Sequence, residues 1–216
     1  MRRLFGILAL IGIIVYVVPH ASNGGPGATQ TGRRGIVTSQ ARIDYSKVTS
    51  RLTELKLGPL VTSQSSGAQR QVATTKLLAS GLVTAVKYDQ RIRCYPLDDL
   101  SQRAAKMYWG LVQFLQVIVT AGFVVGVSCV NTGHDRDGAL HPLWRAMDIN
   151  YVNGRRVNTR LDQVWRFARW VMGLNTADLP TEVGSDSDFI DHSRMKKAGR
   201  GPFIVDPAHF HFGYRL

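Results

Sequence analysis

The stretch His141-Pro-Leu-Trp-Arg-Ala-Met-Asp148 decides how the second half of the chain folds. One helix over this stretch would separate the side chains of His141 and Asp148 by roughly 10 Å along its axis. In one straight strand the two side chains would point to opposite faces, because an odd number of residues separates them. Pro142 disfavours the helical conformation for the residue before it. We therefore predict His141 in a loop, followed by a strand over Met147–Val152 that carries Asp148.

A second stretch, Asp206-Pro-Ala-His-Phe-His211, offers further polar side chains near the C-terminus. Pro207 marks a turn, and the alternating ring types from His209 to Tyr214 indicate a strand. His209 and His211 would share one face of that strand. The two stretches together supply histidine and carboxylate groups in the proportion that a catalytic zinc ion uses, which is three protein ligands with a further position open.

The first stretch resembles the His-x-x-Gly-x-Ala-x-Asp signature of the D-alanyl-D-alanine carboxypeptidase-like zinc peptidases. This group also includes murein endopeptidases, lysostaphin-type enzymes, phage endopeptidases and the hedgehog domain. His141, Ala146 and Asp148 match the signature, whereas Trp144 replaces its glycine. The resemblance implies that His141 and Asp148 bind Zn²⁺.

The second stretch is similar to two variants of the closing motif of this family. Read as acid-x-x-His, Asp206 is the catalytic carboxylate and His209 is the third zinc ligand. Read as His-x-His, His211 is the third ligand and His209 is an acid/base or transition-state-stabilising group. We favour the first reading because it supplies a base as well as a ligand. The catalytic candidates are then Asp206 and His211.

The resemblance implies a zinc-dependent peptidase that acts on peptidoglycan stem or cross-bridge peptides. Many members carry Ser-Gly-aromatic-Arg on the strand before the first histidine, where the arginine grips substrate. The comparable run here is Ser128-Cys-Val-Asn131. Without that arginine, the C-terminal carboxylate of a substrate lacks its bidentate partner. We therefore favour an endopeptidase over a D,D-carboxypeptidase.

The hydrophobic pattern predicts helices over residues 98–121 and 158–174, where apolar residues recur at helical spacing. Residues 123–130 are typical of a buried strand, and residues 83–88 of an edge strand or hairpin. The predicted class is α+β. It combines a small antiparallel sheet with helices on one face and the zinc site on the other.

The N-terminus predicts export. Met1-Arg-Arg precedes an apolar run from Leu4 to Val18, which is typical of a secretory leader whose positive end stays in the cytoplasm. The globular part would then be periplasmic or otherwise extracytoplasmic, with the membrane contacted through an N-terminal apolar helix. We predict a signal peptide or membrane anchor (1–21), a flexible linker (22–36), an extension of unassigned role (37–97) and a zinc peptidase-like domain (98–216).

The formal net charge of +12 favours polyanionic partners. Cell-wall polymer and phospholipid fit an exported protein, and no nucleic-acid-binding module is recognisable, so nucleic acid is not the expected partner. One alternative is a non-catalytic, zinc-stabilised cell-wall-binding protein, and another is a basic virion-associated protein. Cys94 and Cys129 either form a disulfide or remain buried thiols. The sequence does not indicate an oligomeric state.

Overall fold

The computed structural model describes residues 40–86, 94–95, 104–132, 140–186, 188–204 and 208–216. These residues belong to one compact unit, Val37–Leu216. The predicted leader and linker lie outside the described residues, and the boundary near residue 97 stays a prediction. Among the described residues, no helix is both long enough and apolar enough to cross a membrane.

Five α-helices lie within the described ranges. They are α1 (Tyr45–Glu54), α2 (Gly67–Ala79), α3 (Trp109–Thr120), α4 (Asp162–Gly173) and α5 (His192–Lys197). The first two fall in the part of the extension before residue 80, where the sequence pattern predicts no element. Each starts at a capping side chain: Asp44 accepts from the backbone amides of Ser46 and Lys47, and Ser66 forms a reciprocal capping box with Gln69.

The helices α3 and α4 begin later than the hydrophobic pattern predicts. Tyr108 has a ψ of 135°, outside the helical region, so α3 starts one residue later, and its backbone amide donates to the carbonyl of Trp144 at 2.9 Å. Arg160 has a left-handed φ of 52°, which ends a 3₁₀ turn at Val157–Thr159 before α4 begins. Both starts are therefore set by features outside the apolar spacing.

Nine strands are described. They are β1 (Val83–Ala85), β2 (Cys94–Tyr95), β3 (Val125–Cys129), β4 (Asn131–Thr132), β5 (Ala146–Val152), β6 (Arg155–Arg156), β7 (Glu182–Ser185), β8 (Gly201–Ile204) and β9 (Phe210–Gly213). In the described part, seven strands form one sheet in the order β1-β3-β5-β9-β7-β8, with β6 paired to β5. The strands β2 and β4 form a separate antiparallel pair.

The sheet is mixed rather than wholly antiparallel, which corrects the prediction. The pairs β1–β3 and β7–β8 are parallel, and the other pairs of this sheet are antiparallel. Parallel strands need a crossover connection, and here α3 lies between β1 and β3 while α5 lies between β7 and β8. The α+β class is confirmed, and β1 lies at a sheet edge as predicted.

Side chains of the central strands point alternately to the two faces of the sheet, so that one face packs against the core and the other carries polar residues. The ring of Phe167 on α4 lies with its centroid 5.1 Å from that of Phe210 and 6.3 Å from that of Phe212, both on β9. His211 stands between these two buried rings in the sequence and therefore points to the opposite face of the sheet. Asp148 lies in the same way between two buried apolar residues of β5.

We expect Phe167→Ala to lower the free energy of unfolding by about 3–5 kcal/mol, because the ring is fully buried among other aromatic rings and its removal leaves a cavity. Urea denaturation of the purified chain measures this loss. Val72→Ala is the control, because Val72 is 52% exposed and its change should stay within about 0.5 kcal/mol. Equal losses in the two variants would contradict the assigned core.

Candidate metal centre

His141 lies in a turn that leads directly into β5. Its backbone carbonyl accepts from the amide of Trp144 at 2.9 Å, and Asp148 follows on the strand, as predicted. Trp144 has a φ of 59°, in the left-handed region that favours glycine. A non-glycine residue there costs roughly 1–2 kcal/mol. The turn thus keeps the conformation that a glycine would adopt, although a tryptophan occupies the position.

Strand pairing aligns several polar side chains in one row across the sheet. Asp148 on β5 pairs with His211 on β9 and with Cys129 on β3. Directly paired residues of neighbouring antiparallel strands have Cβ atoms about 4.5–5.5 Å apart. His209, two residues before His211, lies towards the same face. The backbone pairing therefore brings together residues that are far apart in sequence.

A β-bulge turns Cys129 towards this row. Val125 and Val127 on β3 belong to the core, and the two-residue period of a regular strand would place Cys129 on the same side. The register instead shifts between Val127 and Cys129, which leaves Ser128 as an extra residue. The Ser128 hydroxyl donates to the side-chain oxygen of Asn150 on β5, and this hydrogen bond holds the bulge in place.

Two ring nitrogens and one carboxylate oxygen converge on the polar face. Nδ1 of His211 lies 2.9 Å from Oδ1 of Asp148 and 3.1 Å from Nε2 of His141. Nε2 of His141 lies 3.3 Å from the same Oδ1. Nε2 of His209 is more distant, at 3.7 Å from Oδ1 of Asp148. His141 and His211 are both buried, so the cluster is well shielded from solvent.

The spacing of these atoms fits a metal ion. Ligand atoms of a tetrahedral zinc site with bonds of about 2.0–2.1 Å lie roughly 3.3 Å apart. The triangle of His141 Nε2, Asp148 Oδ1 and His211 Nδ1 has edges of 3.3, 2.9 and 3.1 Å. Sγ of Cys129 also lies within 4.8 Å of ligand atoms of His141 and Asp148. Cys129, His141 and Asp148 form a group that could hold a metal ion.

The electrostatics of the cluster favour an ionised carboxylate. Burial alone would raise the pKa of Asp148, but the charge of His141 and hydrogen bonds from His141 and His211 hold it well below its ordinary value. Burial alone would lower the pKa of His211, but the hydrogen bond to Asp148 and the nearby carboxylate of Glu182 raise it. Asp148 is therefore charged at neutral pH, which is the form in which a carboxylate binds a metal.

Glu182 on β7 belongs to the site, although the sequence pattern does not indicate it. Its Oε2 lies 3.8 Å from Nε2 of His211, and its Oε1 accepts from Nε of Arg215. Burial would raise the pKa of Glu182, but His211 and Arg215 together lower it. The only sequence signal was an isolated carboxylate within a short segment of strand type, Glu182-Val-Gly-Ser185.

Of the predicted site residues, the structure brings together His141, Asp148, His209 and His211. Asp206, the predicted catalytic carboxylate, lies outside the described residues. The chain matches no protein-family model, no curated protein and no solved structure. The resemblance to the zinc peptidases therefore stays a prediction that depends on the residues of the chain itself.

Proposed function

We propose that the chain is a zinc-dependent peptidase that hydrolyses peptidoglycan stem or cross-bridge peptides, acting as an endopeptidase. The observation that supports this proposal is the largely buried triangle of His141, Asp148 and His211, whose edges of 2.9–3.3 Å are close to the roughly 3.3 Å of a tetrahedral zinc site. The peptidoglycan substrate rests on the family resemblance, the predicted export and the basic net charge of +12.

In this proposal the third ligand is His211 rather than His209. Nδ1 of His211 lies 2.9 Å from Oδ1 of Asp148, whereas Nε2 of His209 lies 3.7 Å from it. This corresponds to the His-x-His reading of the closing motif. His209, whose side chain is 17% exposed, is then available at the margin of the cluster for a catalytic role.

Zinc held by these residues would supply Lewis acidity to polarise the scissile carbonyl. The remaining chemistry falls to side chains of the protein. Nε2 of His209 would accept a proton from the attacking water and deliver it to the departing amine, as a general acid/base does. Asp206, three residues earlier, is the second candidate for this proton transfer. Hydrolysis then breaks one peptide bond and releases one new amine and one new carboxylate.

Metal removal provides the test. We expect the full chain, purified with zinc, to release new free amines from purified murein, because zinc is required to polarise the carbonyl. A strong chelator should reduce this release to background, and added Zn²⁺ should restore it. Amine release is measured by derivatisation with an amine-reactive dye. A folded, zinc-loaded chain that releases no amines from murein would exclude the peptidase while leaving the metal site intact.

A non-catalytic, zinc-stabilised cell-wall-binding protein is the second candidate. The observation that favours it is the proximity of Cys129 Sγ, within 4.8 Å of ligand atoms of His141 and Asp148. A fourth protein ligand would close the coordination sphere, as in structural zinc sites. Cys129→Ser distinguishes the two functions: the peptidase should keep both its zinc and its activity, whereas the closed site should lose zinc.

A further inference from the structure

We propose that Glu182 is a positioning residue whose carboxylate fixes the ring orientation of His211, so that Nδ1 faces Asp148 and His141 and the ring proton lies on Nε2 when zinc is bound. The inference rests on the metal site of the proposed function. It does not depend on which bond the protein cleaves, because it concerns only how one histidine is presented to the ion.

The imidazole of His211 lies between two carboxylates. Nδ1 is 2.9 Å from Oδ1 of Asp148, and Nε2 is 3.8 Å from Oε2 of Glu182, an ion-pair distance rather than a direct hydrogen bond. An ionised carboxylate only accepts hydrogen bonds and therefore attracts the ring nitrogen that carries a proton. Zinc bound at Nδ1 would replace the hydrogen bond of that nitrogen to Asp148 and leave the ring proton on Nε2, beside Glu182. Histidine ligands of metal ions are commonly oriented by such a carboxylate.

Glu182 is itself held in place. The residue is 6% exposed, and its strand β7 pairs directly with β9, which carries His211. Oε1 of Glu182 accepts from Nε of Arg215, a side chain that is 64% exposed. This hydrogen bond from Arg215 anchors one carboxylate oxygen and leaves Oε2 directed towards the ring of His211. The carboxylate therefore stays on the side of His211 that lies away from the ligand triangle.

Gly213 leaves the space in which the two side chains approach each other. It pairs with Glu182 across the β7–β9 ladder. A Cβ atom at this position would lie 3.2 Å from Nε2 of His211, 3.4 Å from Oε2 of Glu182 and 2.6 Å from Cδ1 of Leu140. The last distance is too short for an ordinary carbon contact, so a side chain here would displace the end of Leu140 and crowd His211. The same absence of a side chain leaves the His211–Glu182 contact uncovered.

The zinc affinity of the full chain, measured by competition with a chromophoric chelator, tests this role. We expect Glu182→Ala to weaken zinc binding by about 10–100-fold, the usual effect of losing a group that orients a ligand. Glu182→Gln should recover part of the loss, because it keeps the size of the side chain and places a partially negative oxygen beside Nε2 of His211. Arg215→Ala removes only the exposed anchor, and we expect a smaller loss of affinity from it.

Asp178→Ala is the matched control. The Asp178 carboxylate is also buried and also paired with an exposed arginine, Arg42, but its hydrogen bond comes from the backbone of Ile43. We expect the zinc affinity of Asp178→Ala to stay within about twofold of that of the wild type. This change is well below the 10-fold minimum loss expected when an orienting group is removed. If Asp178→Ala and Glu182→Ala weakened zinc binding equally, the loss would be due to general destabilisation, and the proposal would be overturned.

A spectroscopic readout separates this inference from peptidase activity. In long-range ¹H–¹⁵N spectra of the zinc-loaded wild type, we expect His211 to show a proton on Nε2 and metal on Nδ1, and Glu182→Ala to lose this uniform state. Metal on Nε2 in the wild type, or an unchanged zinc affinity in Glu182→Ala, would overturn the inference. A wild type that binds zinc in the expected tautomer but releases no amines from murein would exclude only the peptidase.

Discussion

We expect Asp148→Asn to lower zinc affinity by at least about 100-fold and to reduce murein hydrolysis to background. Loss of a residue that only orients a ligand lowers affinity by at most about 100-fold, and loss of a ligand should cost at least as much. Oδ1 of Asp148 is the common neighbour of His141, His209 and His211, at 3.3, 3.7 and 2.9 Å. The asparagine keeps the shape of the side chain but removes its negative charge. Zinc content after dialysis against a weak chelator, together with amine release from murein, measures both effects.

Asp188→Asn is the control for this substitution. Asp188 is an exposed carboxylate that pairs with Arg160 at 2.8 Å, so it undergoes the same chemical change in a salt bridge separate from the cluster. Exposed ion pairs contribute at most about 1 kcal/mol to stability, and we expect zinc content and activity to stay at wild-type levels. An Asp148→Asn protein that retained zinc and cleaved murein would remove Asp148 from the ligand set.

The second large effect separates the two C-terminal histidines. We expect His211→Ala to lose zinc, because it removes the nitrogen that lies 2.9 Å from Asp148 and 3.1 Å from His141. His209→Ala should keep zinc but lose activity by about 10²–10⁴-fold, the usual contribution of general acid–base catalysis. Elemental analysis and the murein assay on both variants give four values, which distinguish a ligand from an acid/base.

The opposite pattern has an equally definite meaning. If His209→Ala lost zinc and His211→Ala kept it, the acid-x-x-His reading of Asp206 to His209 would hold, as the sequence alone favours. Loss of zinc in both variants would indicate a site with four protein ligands besides any cysteine. That result would favour the zinc-stabilised binding protein, because a closed site leaves no position for substrate.

The alternation of ring types in β9 made its two faces predictable. Phe210 and Phe212 are apolar, whereas His211 is polar. Because side chains alternate between the two faces of a strand, only one orientation of β9 places both phenylalanines against a core. The turn at Pro142 and the strand that carries Asp148 followed from similarly local rules. The pairing of Asp148 with His211 could not be read from local pattern, because it depends on the register between strands that are distant in sequence.

The residues that the sequence did not indicate are those whose role depends on tertiary contacts. Cys129 reaches the polar face only because a bulge at Ser128 shifts its register. Glu182 lies near His211 because β7 pairs with β9, and Gly213 leaves space beside the two side chains. The sequence does not encode such features as a period or a motif. They depend on how strands that are distant in sequence pair in the sheet.

The missed helix α2 has a different explanation. Its start was present in the sequence as a capping box, in which Ser66 and Gln69 satisfy each other's backbone amides. The helix that follows is nevertheless polar on much of its surface, with Ala73, Thr74 and Leu77 as its buried residues. A short buried stripe gives a weak periodic signal, so the capping residues were the more informative feature.

Zinc X-ray absorption spectroscopy of the loaded full chain measures whether His141, Asp148 and His211 bind a zinc ion, as we propose. We expect nitrogen and oxygen neighbours at about 2.0–2.1 Å with the scattering pattern of two imidazoles, one of which disappears in His211→Ala. A sulfur neighbour at about 2.3 Å would add Cys129 to the ligands and contradict the open site of a peptidase, and a chain that binds no zinc would contradict the metal site itself.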